Sequence, residues 1–271
     1  MLLNSIAILS VVFAVLRGLG GPFWAWPLYF IVYYVELAAL ALAFLIAVSY
    51  VVDPDREQES DSPFYRKVIA LYVEALVMLM RVRVKTQGIE KTPKDGRFLL
   101  VCNHQSNADP GILLHFFRKS QLAFISKKEN HNLFCIGRLM HKILCQELDR
   151  EDDRQALKVI LRCIQILKED KASIAVFPEG GILSEDGKLH HFRPGVFKIA
   201  QKANVPIVVC TLHNTKDVVR NIKRLRGSDV EMRVLDVIPA EELKGVSTVD
   251  VAHRCYDLMA ADLGPDLIAE E

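Results

Sequence analysis

The sequence predicts an α/β fold, a mixed sheet covered by helices, preceded by N-terminal membrane helices. Three observations carry that reading: charge is split along the chain, β-rich runs alternate with helical stretches from residue 82 onward, and polar, glycine-bearing segments directly follow apolar strands. Of 34 Lys+Arg and 33 Asp+Glu, only Arg17 and Glu36 fall within residues 1–52, leaving 33 and 32 for the rest. That split excludes an ordinary soluble enzyme, a disordered chain and a multi-span transporter. The 219 residues after Val52 (271 less 52) suffice for one globular domain with its own core. A net charge of +1 carries no basic signature, so no nucleic-acid partner is expected.

Residues 1–52 read as a membrane-anchoring helical hairpin. The uncharged stretch 1–16 is short, and Gly18, Gly20, Gly21 and Pro22 separate it from a second run, 23–52. A bilayer core of about 30 Å takes about 20 helical residues, so the second run can span. The first barely can, and a re-entrant or interfacial helix is its alternative. A cleaved signal peptide is disfavoured, because a positively charged start and a small-residue cleavage site are missing. Trp24, Trp26, Tyr29, Tyr33 and Tyr34 crowd the start of the second run and Tyr50 its end, as interfacial anchors do. Arg56, Arg66 and Lys67 follow it. Six scattered cysteines without a Cys-x-x-Cys pair read as buried thiols of a reducing compartment. The expectation is an integral membrane protein whose globular domain lies on the cytoplasmic face.

The second unit, 53–271, begins with a polar linker, 53–62. Ser62-Pro63 is an N-cap and first-turn pair for a helix over about 63–80, apolar nearly all round and so buried or interfacial. Strands are expected at 82–86, 98–102, 122–126, 143–148, 173–177, 207–211 and 232–237. Helices are expected at 110–118, 152–168, 194–203 and 248–262.

Two segments carry candidate chemistry. Asn103-His104-Gln105-Ser106-Asn107-Ala108-Asp109-Pro110 follows the apolar run 98–102. A histidine at a strand end sits where α/β folds build sites, and a carboxylate five residues on can hold its Nδ1–H, leaving Nε2 as a general base. The alternative is that Asp109-Pro110 merely caps the following helix. Phe177-Pro178-Glu179-Gly180-Gly181 follows another strand; there a carboxylate on a glycine turn can bond substrate hydroxyls, or it can be an ordinary solvated turn. No Gly-x-Ser-x-Gly elbow occurs, so a covalent intermediate on a serine nucleophile is not indicated. His190-His191 and His213 lack metal-ligand spacing. The basic stretch 216–226, net +4, is a solvated face or meets anionic lipid or the phosphates of a ligand.

His-x4-Asp followed by Phe-Pro-Glu-Gly resembles the glycerolipid acyltransferases, most closely the 1-acyl-sn-glycerol-3-phosphate acyltransferases. Ser126-Lys127-Lys128-Glu129 with Gly137, Leu148-Asp149-Arg150, Phe192-Arg193-Pro194-Gly195 and Val205-Pro206-Ile207-Val208 resemble further motifs of that family. The resemblance implies transfer of a fatty acyl group from acyl-CoA or acyl-carrier protein to lysophosphatidic acid in the bilayer, with no cofactor and no metal. It implies His104 and Asp109 as the catalytic pair, and Asn103, Lys127, Arg150, Glu179 and Gly180 as substrate-binding residues. Gly181-Ile182 stands where the family commonly has Thr-Arg, and Val209 where a second proline is usual. The phosphate charge must then come from Arg150 and Lys127, with Lys188 or Arg193 as stand-ins.

Overall fold

The computed structural model describes residues 1–149, 152–183 and 186–269. Seven strands form one sheet: β1 (Val82–Gln87), β2 (Leu99–Cys102), β3 (Leu122–Lys127), β4 (Gln146–Leu148), β5 (Ser173–Val176), β6 (Ile207–His213) and β7 (Ser228–Ile238), in the order β1-β7-β6-β2-β5-β3-β4. The β6–β7 pair is antiparallel and every other pair parallel, so the sheet is mixed. Central β2 and β5 are buried throughout, which is why Leu-Leu-Val-Cys and Ser-Ile-Ala-Val carry no polar alternation.

The helices are α1 (Leu2–Gly18), α2 (Trp26–Tyr50), α3 (Pro63–Leu79), α4 (Asp109–Phe116), α5 (Lys128–His131), α6 (Ile136–Lys142), α7 (Asp153–Lys168), α8 (Lys198–Ala203), α9 (Lys216–Lys223) and α10 (Thr248–Leu263). Alternate strand side chains enter opposite cores. Leu99, Val101, Ile174 and Ile207 meet α7, α8 and α10 through Cys163, Ile199 and Cys255. Leu100, Cys102, Val208 and Cys210 meet α3, α4 and α9 through Ile69, Ile112 and Val218.

At the N-terminus, Phe13 and Tyr33 rings lie 5.5 Å apart and Trp26 Nε1–H donates to Gly18 O at 3.3 Å, so α1 and α2 run antiparallel. Gly18 is required there, since a Cβ would stand 2.4 Å from the Trp26 indole. The helix Phe23–Tyr50, 28 residues with its opening turn, is long and apolar enough to cross a bilayer; α1 is shorter. The hairpin lies along α3, where Tyr72 and Tyr65 hydroxyls donate to Ala41 O at 2.5 Å and Val48 O at 3.2 Å. The N-terminal ammonium pairs with Glu74.

Two expectations fail locally. The run expected as a strand over 143–148 extends only over Gln146–Leu148. Ile143 N–H instead closes α6 on Met140 O and Leu144 takes φ 65°, so the buried trio Ile143, Leu144 and Cys145 plugs the core without joining the ladder. The helix expected over 194–203 divides into a 3₁₀ turn, Pro194–Phe197, and α8.

Candidate active site

The carboxyl ends of β2, β5, β3 and β4 bring the candidate residues to one edge of the sheet. His104 follows β2, Glu179 follows β5, and Lys127 ends β3 opposite Leu148 of β4. This edge is where open parallel sheets bind ligands. Arg150 lies outside the described residues.

The segment after β2 is immobilised before any substrate arrives. Buried Asn103 donates through Nδ2 to Leu212 O at 2.9 Å, and its Oδ1 accepts the Leu212 N–H at 2.8 Å. Both ends of this amide are thus bonded to β6, which holds the loop in position. Gln105 ties the same loop to Gly187 O at 2.9 Å.

His104 Nδ1 lies 2.9 Å from Asp109 Oδ2, which also accepts the Gln105 and Ser106 backbone N–H groups at 2.7 and 2.8 Å. Asp109 is fully buried, and its Oδ1 has no partner among the described residues. The helix-cap alternative fails, because these donors lie upstream and the carboxylate caps no first-turn N–H of α4. With the carboxylate accepting at Nδ1, the imidazole is held as its Nδ1–H form. Nε2 is left without a partner among the described residues on a side chain 13% exposed. The ring stacks on Phe177, centroids 4.0 Å apart at 14°. The sequence reading missed Phe177 as the wall of this histidine. Its signal was present, an aromatic residue opening the Phe-Pro-Glu-Gly turn on the strand beside β2.

Glu179 stands differently. It is 2% exposed, with Oε1 accepting the His104 N–H at 2.8 Å and Oε2 the His190 N–H at 2.9 Å. Burial pushes its carboxyl up to about 7; the two N–H donors pull the other way, and the Asp109 charge adds to the rise. Through these two bonds Glu179 staples the β2 loop to the segment that follows the β5 turn. Gly180 turns with φ +86°, where a Cβ would lie 2.9 Å from Arg193 Nε. Arg193 is anchored by its N–H on Pro178 O at 2.8 Å. Its exposed guanidinium, resting on the glycine turn, has no carboxylate partner among the described residues.

Lys127 is exposed two strands from β2, roughly 10 Å at the ordinary strand spacing. A cavity of about 890 Å³ lies elsewhere, between the end of α2, the linker, α6 and α7, and His104 does not line it. His213 is engaged in a closed ion cluster, its Nε2 2.7 Å from Asp262 Oδ2, while Arg233 holds Oδ1 at 2.9 Å.

A His–Asp pair stands at the strand ends of a covered mixed sheet, and residues 83–213 match the family model described as Acyltransferase. Among its relatives is a "Probable 1-acyl-sn-glycerol-3-phosphate acyltransferase" of Mycoplasma pneumoniae, 34% identical over 172 residues, 62% of each chain. A chloroplastic 1-acyl-sn-glycerol-3-phosphate acyltransferase of Brassica napus is 38% identical over 130 residues, 48% of this chain and 37% of its own. The chain thus spans less than two thirds of the length of these relatives. The crystal structure of the 1-acyl-sn-glycerophosphate acyltransferase PlsC from Thermotoga maritima shares the fold, with TM-score 0.59 and 22% identity over 82% of this chain and 87% of that one.

Proposed function

We propose that the protein transfers a fatty acyl group from a thioester, acyl-CoA or acyl-carrier protein, to the sn-2 hydroxyl of 1-acyl-sn-glycerol-3-phosphate, forming phosphatidic acid. The names of the relatives support the acceptor. One observation carries the chemistry: His104 is held by Asp109 at Nδ1 and unpartnered at Nε2.

His104 Nε2 takes the proton of the acceptor hydroxyl as its oxygen attacks the thioester carbonyl. The tetrahedral intermediate collapses with loss of the thiolate, which receives that proton from the imidazolium. Asp109 orients the ring and stabilises its cation, a geometry fixed in advance by the Gln105 and Ser106 N–H groups. The acceptor phosphate needs cations at this edge. Arg193 on the Gly180 turn and Lys127 supply them, with Arg150 following from the sequence; Arg193 compensates for Gly181-Ile182. The α1–α2 hairpin holds the domain at the cytoplasmic face of the bilayer that carries acceptor and product.

The test is purified protein with labelled oleoyl-CoA or oleoyl-carrier protein and a panel of lysolipids. Labelled phosphatidic acid from lysophosphatidic acid is expected. No diacyl product from that acceptor with either donor overturns the proposal, and a phosphate-free lysolipid as best acceptor refutes the cation assignment.

A further inference from the structure

The basic segment 216–226 acquires a specific shape in the fold. Val218 is the buried contact of α9, and Val219 and Ile222 flank it at the helix edge, 44% and 36% exposed; Leu225, just past the helix, is 83% exposed. Around these three apolar side chains stand the exposed cations Lys223, Arg224 and Arg226, none with a carboxylate partner among the described residues; Arg220 is paired with Asp217 at 2.6 Å. Exposed aliphatic groups ringed by unpaired cations suit the boundary between acyl chains and anionic headgroups.

The position of α9 fits the same partner. It covers the sheet face that α3 and α4 cover, and the α1–α2 hairpin lies along α3. The C-terminal end of α3 also leaves Leu76, Met78 and Leu79 exposed. Arg81, just beyond it, joins the two patches: its guanidinium donates to Leu225 O at 3.2 Å, and its carbonyl accepts the Ser228 N–H at 3.2 Å.

We infer that α9 and the segment through Arg226 form a second lipid contact, continuous with the end of α3, that docks the acyltransferase domain on an anionic bilayer independently of the N-terminal hairpin. It rests on the proposed function only in that the protein works at a membrane. Docking at this point adds a second contact with the leaflet to the one made by the hairpin.

The test labels full-length Leu225→Cys with an environment-sensitive dye at this exposed site, the six native cysteines being buried. The labelled protein is reconstituted in phosphatidylcholine vesicles with and without phosphatidylglycerol. A blue-shifted emission, quenched by doxyl-labelled lipid and dependent on phosphatidylglycerol, is expected. Lys223→Glu with Arg224→Glu and Arg226→Glu should reduce the inserted fraction at least roughly five-fold for each cation removed, and added salt should weaken it. An unshifted label in anionic vesicles overturns the inference, as does a shift produced by soluble acidic carrier protein and not by vesicles. Because the readout is insertion, it stands whether or not the acylation assay succeeds. If both succeed, the triple variant should keep its turnover on a short-chain soluble acceptor and lose rate only on acceptor embedded in anionic vesicles. Equal rates on both acceptors would overturn the docking role.

Discussion

The loops after β2 and β5 look alike in sequence, each placing a titratable residue just past an apolar strand, yet they differ in what is left over once hydrogen bonds are counted. Glu179 gives one oxygen to the His104 N–H and the other to the His190 N–H, and it is 2% exposed. His104 gives one ring nitrogen to Asp109 and keeps the second. Chemistry needs an unspent atom that substrate can reach; architecture needs none. Through Glu179, the β5 loop holds the backbone of His104.

The largest expected effect breaks the comparison on the reactive side. His104→Ala should lower kcat by at least roughly 10²–10⁴-fold, the contribution of a positioned general base, with the fold retained by circular dichroism. Near-normal turnover would end the mechanism. Asp109→Asn should follow at roughly 10²-fold or more in kcat with little change in acceptor KM, because the lost carboxylate orients and charge-compensates the ring. The amide would also turn a donor toward the Gln105 and Ser106 N–H groups or leave one unbonded, so a fall in Tm should accompany the rate loss. A lower Tm with unchanged kcat would reduce Asp109 to a structural residue.

A smaller effect tests the cation that leans on the β5 turn. Arg193→Ala should raise the KM for a phosphate-bearing acceptor by roughly ten- to a hundred-fold, the worth of a charge-assisted hydrogen bond, and leave the donor KM unchanged. Equal changes for both substrates would show that the guanidinium only supports Gly180.

Much of this contrast was legible before the fold was known. Apolar runs ending in polar, glycine-bearing segments mark strand ends, and five-residue spacing lets a carboxylate return to a histidine ring. The hidden part was the destination of backbone N–H groups brought from far along the chain. Nothing in the local pattern says that Leu212 meets Asn103 or that His190 meets Glu179, and those two contacts give both side chains a part in holding the loops. The run 143–148 misled for a related reason. A short apolar stretch reads as a strand whether it joins a ladder or plugs a core, and Ile143-Leu144-Cys145 plugs the core. Two turns of α9 were too short to show a period above its charges.

The smallest effect on rate sharpens the comparison most, because it separates scaffold from chemistry. Glu179→Gln keeps the shape and the bond to the His104 N–H, so kcat should stay within about tenfold of the original if the carboxylate only staples the loops. Its charge should register in stability instead. Burial lifts the Glu179 carboxyl from its ordinary 4.5 to about 7. Between those values the folded protein holds a proton that the unfolded chain has released. This contribution is therefore complete below pH 4.5 and disappears as pH rises through 7. Across that window the original protein should lose about 3 kcal/mol relative to Glu179→Gln, whose amide does not titrate. Parallel denaturant titrations of both proteins across this range measure the difference. A gap that stays constant across this range would show that folding does not raise the Glu179 pKa, and a collapse of kcat with stability intact would return the residue to the substrate.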